Sequence, residues 1–145
     1  MSISAVVLQI LTGLASASAL FLVASGLSLI FGVTRVVNFA HGSFYMLGLY
    51  AAVSFSQAFA GIGPLGWWSG VLLAALLVAA LGALIEIVLL RRIYVAPELF
   101  QLLATFALLL VINDAALYFW GPEDLLGPRA PGLRGAIEVL GIRKI

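Results

Sequence analysis

The chain has 145 residues, 64% hydrophobic and only 9% charged; a water-soluble fold of that composition would expose more apolar surface than water tolerates, so it reads as an integral membrane protein. A net charge of +1 with no gathered basic patch argues against nucleic acid as a partner. The absence of cysteine excludes disulfides and thiolate metal sites, and a single histidine leaves little for any other metal.

The expected class is all-α, with about four transmembrane helices and an exposed C-terminal loop. Met1 to Thr34 carries no ionisable side chain, and the first span, about residues 5–32, exceeds the roughly 20 residues that cross a bilayer, so it must tilt or bend. It lacks the basic start of a cleavable leader, and its apolar run is too long for one. Gly13, Ala17 and the small residues of 15–19 offer a surface for close helix contact.

The segment Val33 to Ser43 holds the first charge, Arg35, the only histidine, His41, and Asn38 within apolar sequence. Lipid supplies no partner for such groups, so they face protein or a water-filled path. The plainer account puts Arg35 among the headgroups and Asn38 at the cap of the next helix.

The second span is predicted over about 39–59. Asn38, His41, Tyr45 and Gly48 follow 3-4-3 spacing and share one face, with Gly42 adjacent and Ser43 turned away. That face is expected to be buried against protein, either lining a transport path or forming interhelical hydrogen bonds. Gly42 is expected to be a hinge or close-packing position, more sensitive to a bulky substitution than Gly70.

The cluster Gly61 to Gly66 breaks the run, and a third span follows at about 67–90. Ala75, Ala79 and Ala83, with Gly82 beside them, form a packing stripe. Glu86 is expected to pair locally with Arg91 near the inner surface. Arg91, Arg92, Ala96, Pro97 and Glu98 make a short polar connection to the fourth span, about 99–118. Asn113 and Asp114 lie about one turn below its far end. Residues 121–145 mix charges with Pro122, Pro128 and Pro131, as an exposed loop does.

Arg35, Arg91 and Arg92 fall on one side of this arrangement, and the opposite short loop, 60–66, is uncharged. The positive-inside rule therefore places the N-terminus outside. Trp67, Trp68, Tyr118 and Trp120 gather at the outer face as an aromatic belt. Arg129, Arg134, Arg143 and Lys144 would also lie outside, and they count less with distance from the span.

Gly26-Leu27-Ser28-Leu29-Ile30-Phe31-Gly32-Val33, followed by Val37-Asn38-Phe39-Ala40-His41-Gly42-Ser43-Phe44-Tyr45-Met46-Leu47-Gly48, resembles the signature region of LivH-type permeases of branched-chain amino-acid ABC transporters. The similarity extends through Glu86 to Arg91, Leu103-Ala104-Thr105 and Trp120-Gly121-Pro122. It implies uptake of leucine, isoleucine, valine or related compounds across a bacterial inner membrane. It also implies a periplasmic binding protein, a second homologous permease and two cytoplasmic ATPases as partners, and no cofactor in this chain. Arg92 and Ala107 stand where such permeases usually have proline and glycine. Family members continue into further spans and a coupling segment, so the chain is expected to be the N-terminal half of one permease domain.

The sequence has no GxxxxGK[ST] phosphate loop and no nucleophile–base constellation, so no enzymatic activity is expected of it. The competing reading is a small homo-oligomeric exporter or channel working through Glu86 or Asp114. A third is a non-transporting scaffold.

Overall fold

A computed structural model describes residues 3–132, whose regular secondary structure is all helix, with no strand among these residues. Of the expected loop 121–145, residues 133–145, with Arg134, Arg143 and Lys144, lie outside the described residues. Helix α1 covers Ile3–Thr34. Its hydroxyls return to the carbonyls of the preceding turn: Thr12 to Leu8 at 3.0 Å, Ser18 to Leu14 at 2.8 Å and Thr34 to Ile30 at 2.8 Å. Each is thereby satisfied without leaving the helix, which is what an apolar surround demands. The helix stops at Arg35, whose φ of 55° takes the backbone into the left-handed region.

Helix α2, His41–Ala58, begins two residues later than expected. The reason is a local turn: Asn38 Oδ1 accepts from the Ala40 N–H at 3.0 Å, and the Asn38 carbonyl accepts from the His41 N–H at 3.1 Å. This is the side-chain-closed turn that competes with helix at asparagine. Asn38 therefore sits in the turn before the helix and shares no helical face with His41.

A short 3-10 turn, Ala60–Ile62, and Gly63 at φ 74° reverse the chain, and Pro64 opens the next helix where its missing N–H costs nothing. Helix α3 runs Pro64–Ile93, passing through a π-helical stretch at Glu86–Leu90. Arg91 and Arg92 thus belong to its last turn, and the polar connection shortens to 94–97. Helix α4, Glu98–Trp120, has Glu98 in its first turn, favourable to the helix dipole, and ends at Gly121 with φ 80°.

Successive helices run up and down between two ends. One, the arginine end, gathers Thr34, Asn38, Leu90 and Gln101 around a single cavity. The other carries the tryptophans. Three helices, Ala5–Thr34, Pro64–Ile93 and Glu98–Trp120, are long and apolar enough to cross a membrane; α2, with 18 residues, is not among them. Its shortfall is polarity, carried by His41, Ser43, Tyr45, Tyr50, Ser54, Ser56 and Gln57. That polarity fits its place, since α2 packs against α1, α3 and α4.

The hairpin of α2 and α3 closes on glycine. A Cβ at Gly66 would lie 1.9 Å from the Phe59 carbonyl oxygen, and one at Gly70 would lie 2.6 Å from the Ser56 nitrogen. Ala74 is buried and Val78 meets Gly48. The packing stripe of α3 is therefore Gly66, Gly70, Ala74 and Val78, and the expected stripe at Ala75, Ala79 and Ala83 is uncovered by the rest of the chain. One residue of register is about 100° of rotation, and the tight turn at Gly63 sets which face meets α2. Helix α4 lays Gln101, Thr105, Leu108, Ile112 and Ala116 along one stripe; Leu108 and Ile112 pack with Ala40 and are flanked by Phe44, Met46, Leu47 and Ile85.

Gly42 has nothing within 4 Å of the position a Cβ would take, so its expected role as a close-packing site within this chain does not hold. The sensitive glycine is Gly70. Gly70→Leu should cost more than the roughly 1–3 kcal/mol usual for overpacking, because backbone and not a movable side chain stands in the way. Gly42→Leu should leave the fold intact. Thermal unfolding of the two detergent-solubilised variants checks this order; a Gly42 variant less stable than the Gly70 variant would reverse it.

Candidate functional site

The polar residues of α2 are divided among three neighbours. His41 Nε2 donates to the Val23 carbonyl of α1 at 3.1 Å, and the ring occupies the space that a Cβ on Gly26 would fill, 2.9 Å from Nε2. Gly26 is thus the socket for His41. A carbonyl only accepts, so the neutral ring carries its proton on Nε2. Gly48 faces α3 at Val78. Ser43, expected to turn away, is buried and donates to Asn113 Oδ1 of α4 at 3.1 Å. Tyr45 is 43% exposed and Gly42 is also uncovered.

The single buried face predicted for Asn38, His41, Tyr45 and Gly48 is therefore replaced. Asn38 closes a turn, His41 docks on α1, Gly48 meets α3, and Gly42 and Tyr45 look outward. Starting the helix at His41 removes Asn38 from the pattern, and the buried line toward α4 becomes Ala40, Ser43 and Leu47. That 3-4 spacing was present in the sequence and missed because the more polar Asn38 anchored the register.

At the arginine end, α4 holds both connections. Gln101, buried, donates Nε2 to the carbonyls of Tyr94 at 3.2 Å and Ala96 at 2.7 Å. Thr105, buried, donates to the Val37 carbonyl at 3.4 Å and to that of Leu102 at 3.1 Å. Gln101 and Thr105 lie at i, i+4 in an apolar helix, a signal that sequence reasoning could have used. With Thr34, Asn38 and Tyr94 they line a cavity of about 20 Å³, room for roughly one water.

Glu86 does not take Arg91 as its hydrogen-bond partner: the Tyr94 hydroxyl donates to its Oε2 at 2.5 Å. Eight residues span about 2.2 turns of α-helix and would leave the pair misaligned; the wider π turn at Glu86–Leu90 takes up the excess. Burial first, then the hydrogen bond and charge of Glu86, push the Tyr94 hydroxyl up to about 12, so it stays protonated and donating near neutral pH.

At the tryptophan end, Trp120 Nε1 donates to Ser54 Oγ at 2.7 Å and stacks on Tyr50 with ring centroids 5.3 Å apart. Trp67 Nε1 donates to the Pro128 carbonyl at 3.1 Å, holding the segment after α4 against the α2–α3 turn. Asp114 is exposed. Among the described residues no three His, Asp or Glu side chains gather as a metal site would require.

Residues 9–125 match the family model described as the permease component of branched-chain amino acid transport systems. The high-affinity branched-chain amino acid transport system permease protein LivH of Escherichia coli K12 is 27% identical over 124 residues, 83% of this chain and 40% of that protein. LivH of Salmonella typhimurium is 26% identical over the same coverage. BraD of Pseudomonas aeruginosa is 27% identical over 113 residues, 75% of this chain and 37% of that protein. The chain thus spans about two fifths of the length of these relatives. No solved structure matches it significantly.

The His41 socket yields a direct test. Gly26→Val should expel the ring and cost about 1 kcal/mol with the lost hydrogen bond, loosening α1. Spin labels on cysteines at Leu20 and Leu49, both exposed, should show one narrow distance distribution that Gly26→Val and His41→Ala both broaden. Gly13→Val, which meets nothing, should leave it narrow. Unchanged distributions in the first two variants would dismiss the socket.

Proposed function

The chain belongs to the family of permease components of branched-chain amino acid transport systems, and from that premise we propose that it forms part of the membrane passage of an ATP-driven importer for branched-chain amino acids. The observation that carries this is the family match over residues 9–125, which reaches from within α1 to beyond α4. The setting is the bacterial inner membrane, crossed more than once. A periplasmic binding protein delivers substrate, a second homologous permease completes the passage, and two cytoplasmic ATPases drive it. ATP chemistry falls to those partners because this sequence contains no phosphate-binding loop.

Within the passage, the strip of α2 formed by Gly42, Tyr45 and Leu49 is the surface left uncovered by α1, α3 and α4. It offers one hydroxyl, an aliphatic side chain and, at Gly42, free volume. Such a surface suits an aliphatic amino acid moving past without a deep binding site. His41 and Gly48 support it from behind by holding α2 to its neighbours.

Reconstituted alone, the chain should move no leucine; uptake should appear when the remaining permease portions, both ATPases and the binding protein are supplied. In that full system Tyr45→Ala should lower the uptake rate while leaving assembly unchanged. ATP-independent, proton-driven flux through the chain alone, abolished by Glu86→Gln, would support the small exporter instead.

A further inference from the structure

Between α1 and α2, residues 35–40 run without helix beside apolar side chains, so their polar groups must find partners one by one. The segment doubles back along α1. It leaves that helix after Thr34, yet His41, which follows it, meets the Val23 carbonyl, about 16 Å back along the axis at 1.5 Å per residue. Helix α4 holds the segment through the Thr105 hydroxyl, which donates to the Val37 carbonyl at 3.4 Å. Beside that bond lies the cavity of about 20 Å³ that Asn38 of the segment shares with Gln101 and Thr105 of α4.

Two amides at this cavity each have one end engaged and the other free. Both hydrogens of Gln101 Nε2 go to backbone carbonyls, those of Tyr94 and Ala96, which fixes the orientation of the amide and leaves Oε1 as an acceptor. Asn38 Oδ1 accepts from the Ala40 N–H, which leaves Nδ2 as a donor. Among the described residues no protein group bonds either free end. No side-chain nitrogen or oxygen sealed inside the described residues lacks a partner, so both ends reach open space, and the cavity that both residues line provides it. We propose that one ordered water occupies this cavity, accepting from Asn38 Nδ2 and donating to Gln101 Oε1, and so pins the extended segment to α4.

Size and chemistry both select water. The volume suits a single molecule, and a buried water needs two to four polar partners. The Thr105 hydroxyl, whose hydrogen is already engaged, has a lone pair for the second hydrogen of the water and makes the third partner. No acid lines the cavity, and Ile30, Leu90 and Ile93 close it with hydrocarbon, so a cation would find no charge to offset its dehydration. A bridging water is nearly as favourable in enthalpy as a direct hydrogen bond. Gln101 then joins the connection 94–97, through its nitrogen, to the segment 35–40, through its oxygen, and the two connections of the arginine end share one anchor on α4. The proposal is independent of what the chain transports.

The test reads density and stability, not uptake. The protein, purified from membranes with its natural partners, is placed in nanodiscs and imaged by cryo-electron microscopy at a resolution that shows ordered water. A peak should stand about 3 Å from both Asn38 Nδ2 and Gln101 Oε1. Asn38→Ser keeps an oxygen for the Ala40 N–H and removes only the amide donor, so the turn should persist while the peak is lost. Thermal unfolding gives a second readout that needs no map. Because the side chains of Asn38 and Gln101 do not bond each other, Asn38→Ser and Gln101→Met should together lower Tm by less than the sum of their separate losses. The losses of Asn38→Ser and Ser54→Ala, at opposite ends of the molecule, should simply add. A direct Asn38–Gln101 bond with no peak between them overturns the water, as do additive losses for the first pair. A peak ringed by five or more oxygens would mark a cation and overturn it too.

Discussion

A polar group in hydrocarbon must find its partner inside the protein, and this requirement organises the chain. Helix α2 carries polar side chains that reach beyond its own backbone to other helices, and it is the helix with neighbours on the most sides. Its imidazole goes to the α1 backbone, its buried hydroxyl to Asn113 of α4, and its Ser54 hydroxyl to the Trp120 indole. No buried side-chain nitrogen or oxygen among the described residues lacks a partner. A helix too polar to count as a span by composition is thus covered by helices apolar enough to face lipid.

The packing that supplies this cover is uneven. Gly66 and Gly70 let the α2 and α3 backbones approach so closely that no side chain fits, and α4 adds a continuous buried stripe. Helix α1 differs: residues 5–18 are almost all uncovered by the rest of the chain, and His41 in the Gly26 socket is its link to α2 away from the connecting turn. Packing within the chain therefore concentrates in α2 to α4, and α1 rests on few contacts with the rest. For a permease, an arm of this kind offers a surface on which further membrane segments can pack.

Much of this was legible in the residues. Composition alone identifies a membrane protein, the absence of charge marks α1 and α3, and Gly61 to Gly66 announces the reversal between α2 and α3. The register of faces was not legible. Asn38 belongs to a turn because its own side chain closes it, which a helical wheel does not foresee. Gly42 and the stripe at Ala75, Ala79 and Ala83 look as much like packing surfaces as Gly70 and Ala74 do; the turn at Gly63 rotates one set inward and leaves the other outside. The partner of Glu86 was hidden for the same kind of reason, since a π turn changes which side chains align. In the candidate site, residue types were readable and their facing was decided by contacts distant in sequence.

The central claim is that α2 crosses the membrane under the cover of its neighbours, although three other helices alone qualify by length and hydropathy. Single cysteines at Phe39, Gly63 and Val95, in a chain with no native thiol, allow it to be tested with a membrane-impermeant maleimide applied from each side. The account predicts labelling of Gly63→Cys from the periplasmic side, and of Phe39→Cys and Val95→Cys from the cytoplasmic side alone. Labelling of Phe39→Cys and Gly63→Cys from the same side would contradict it.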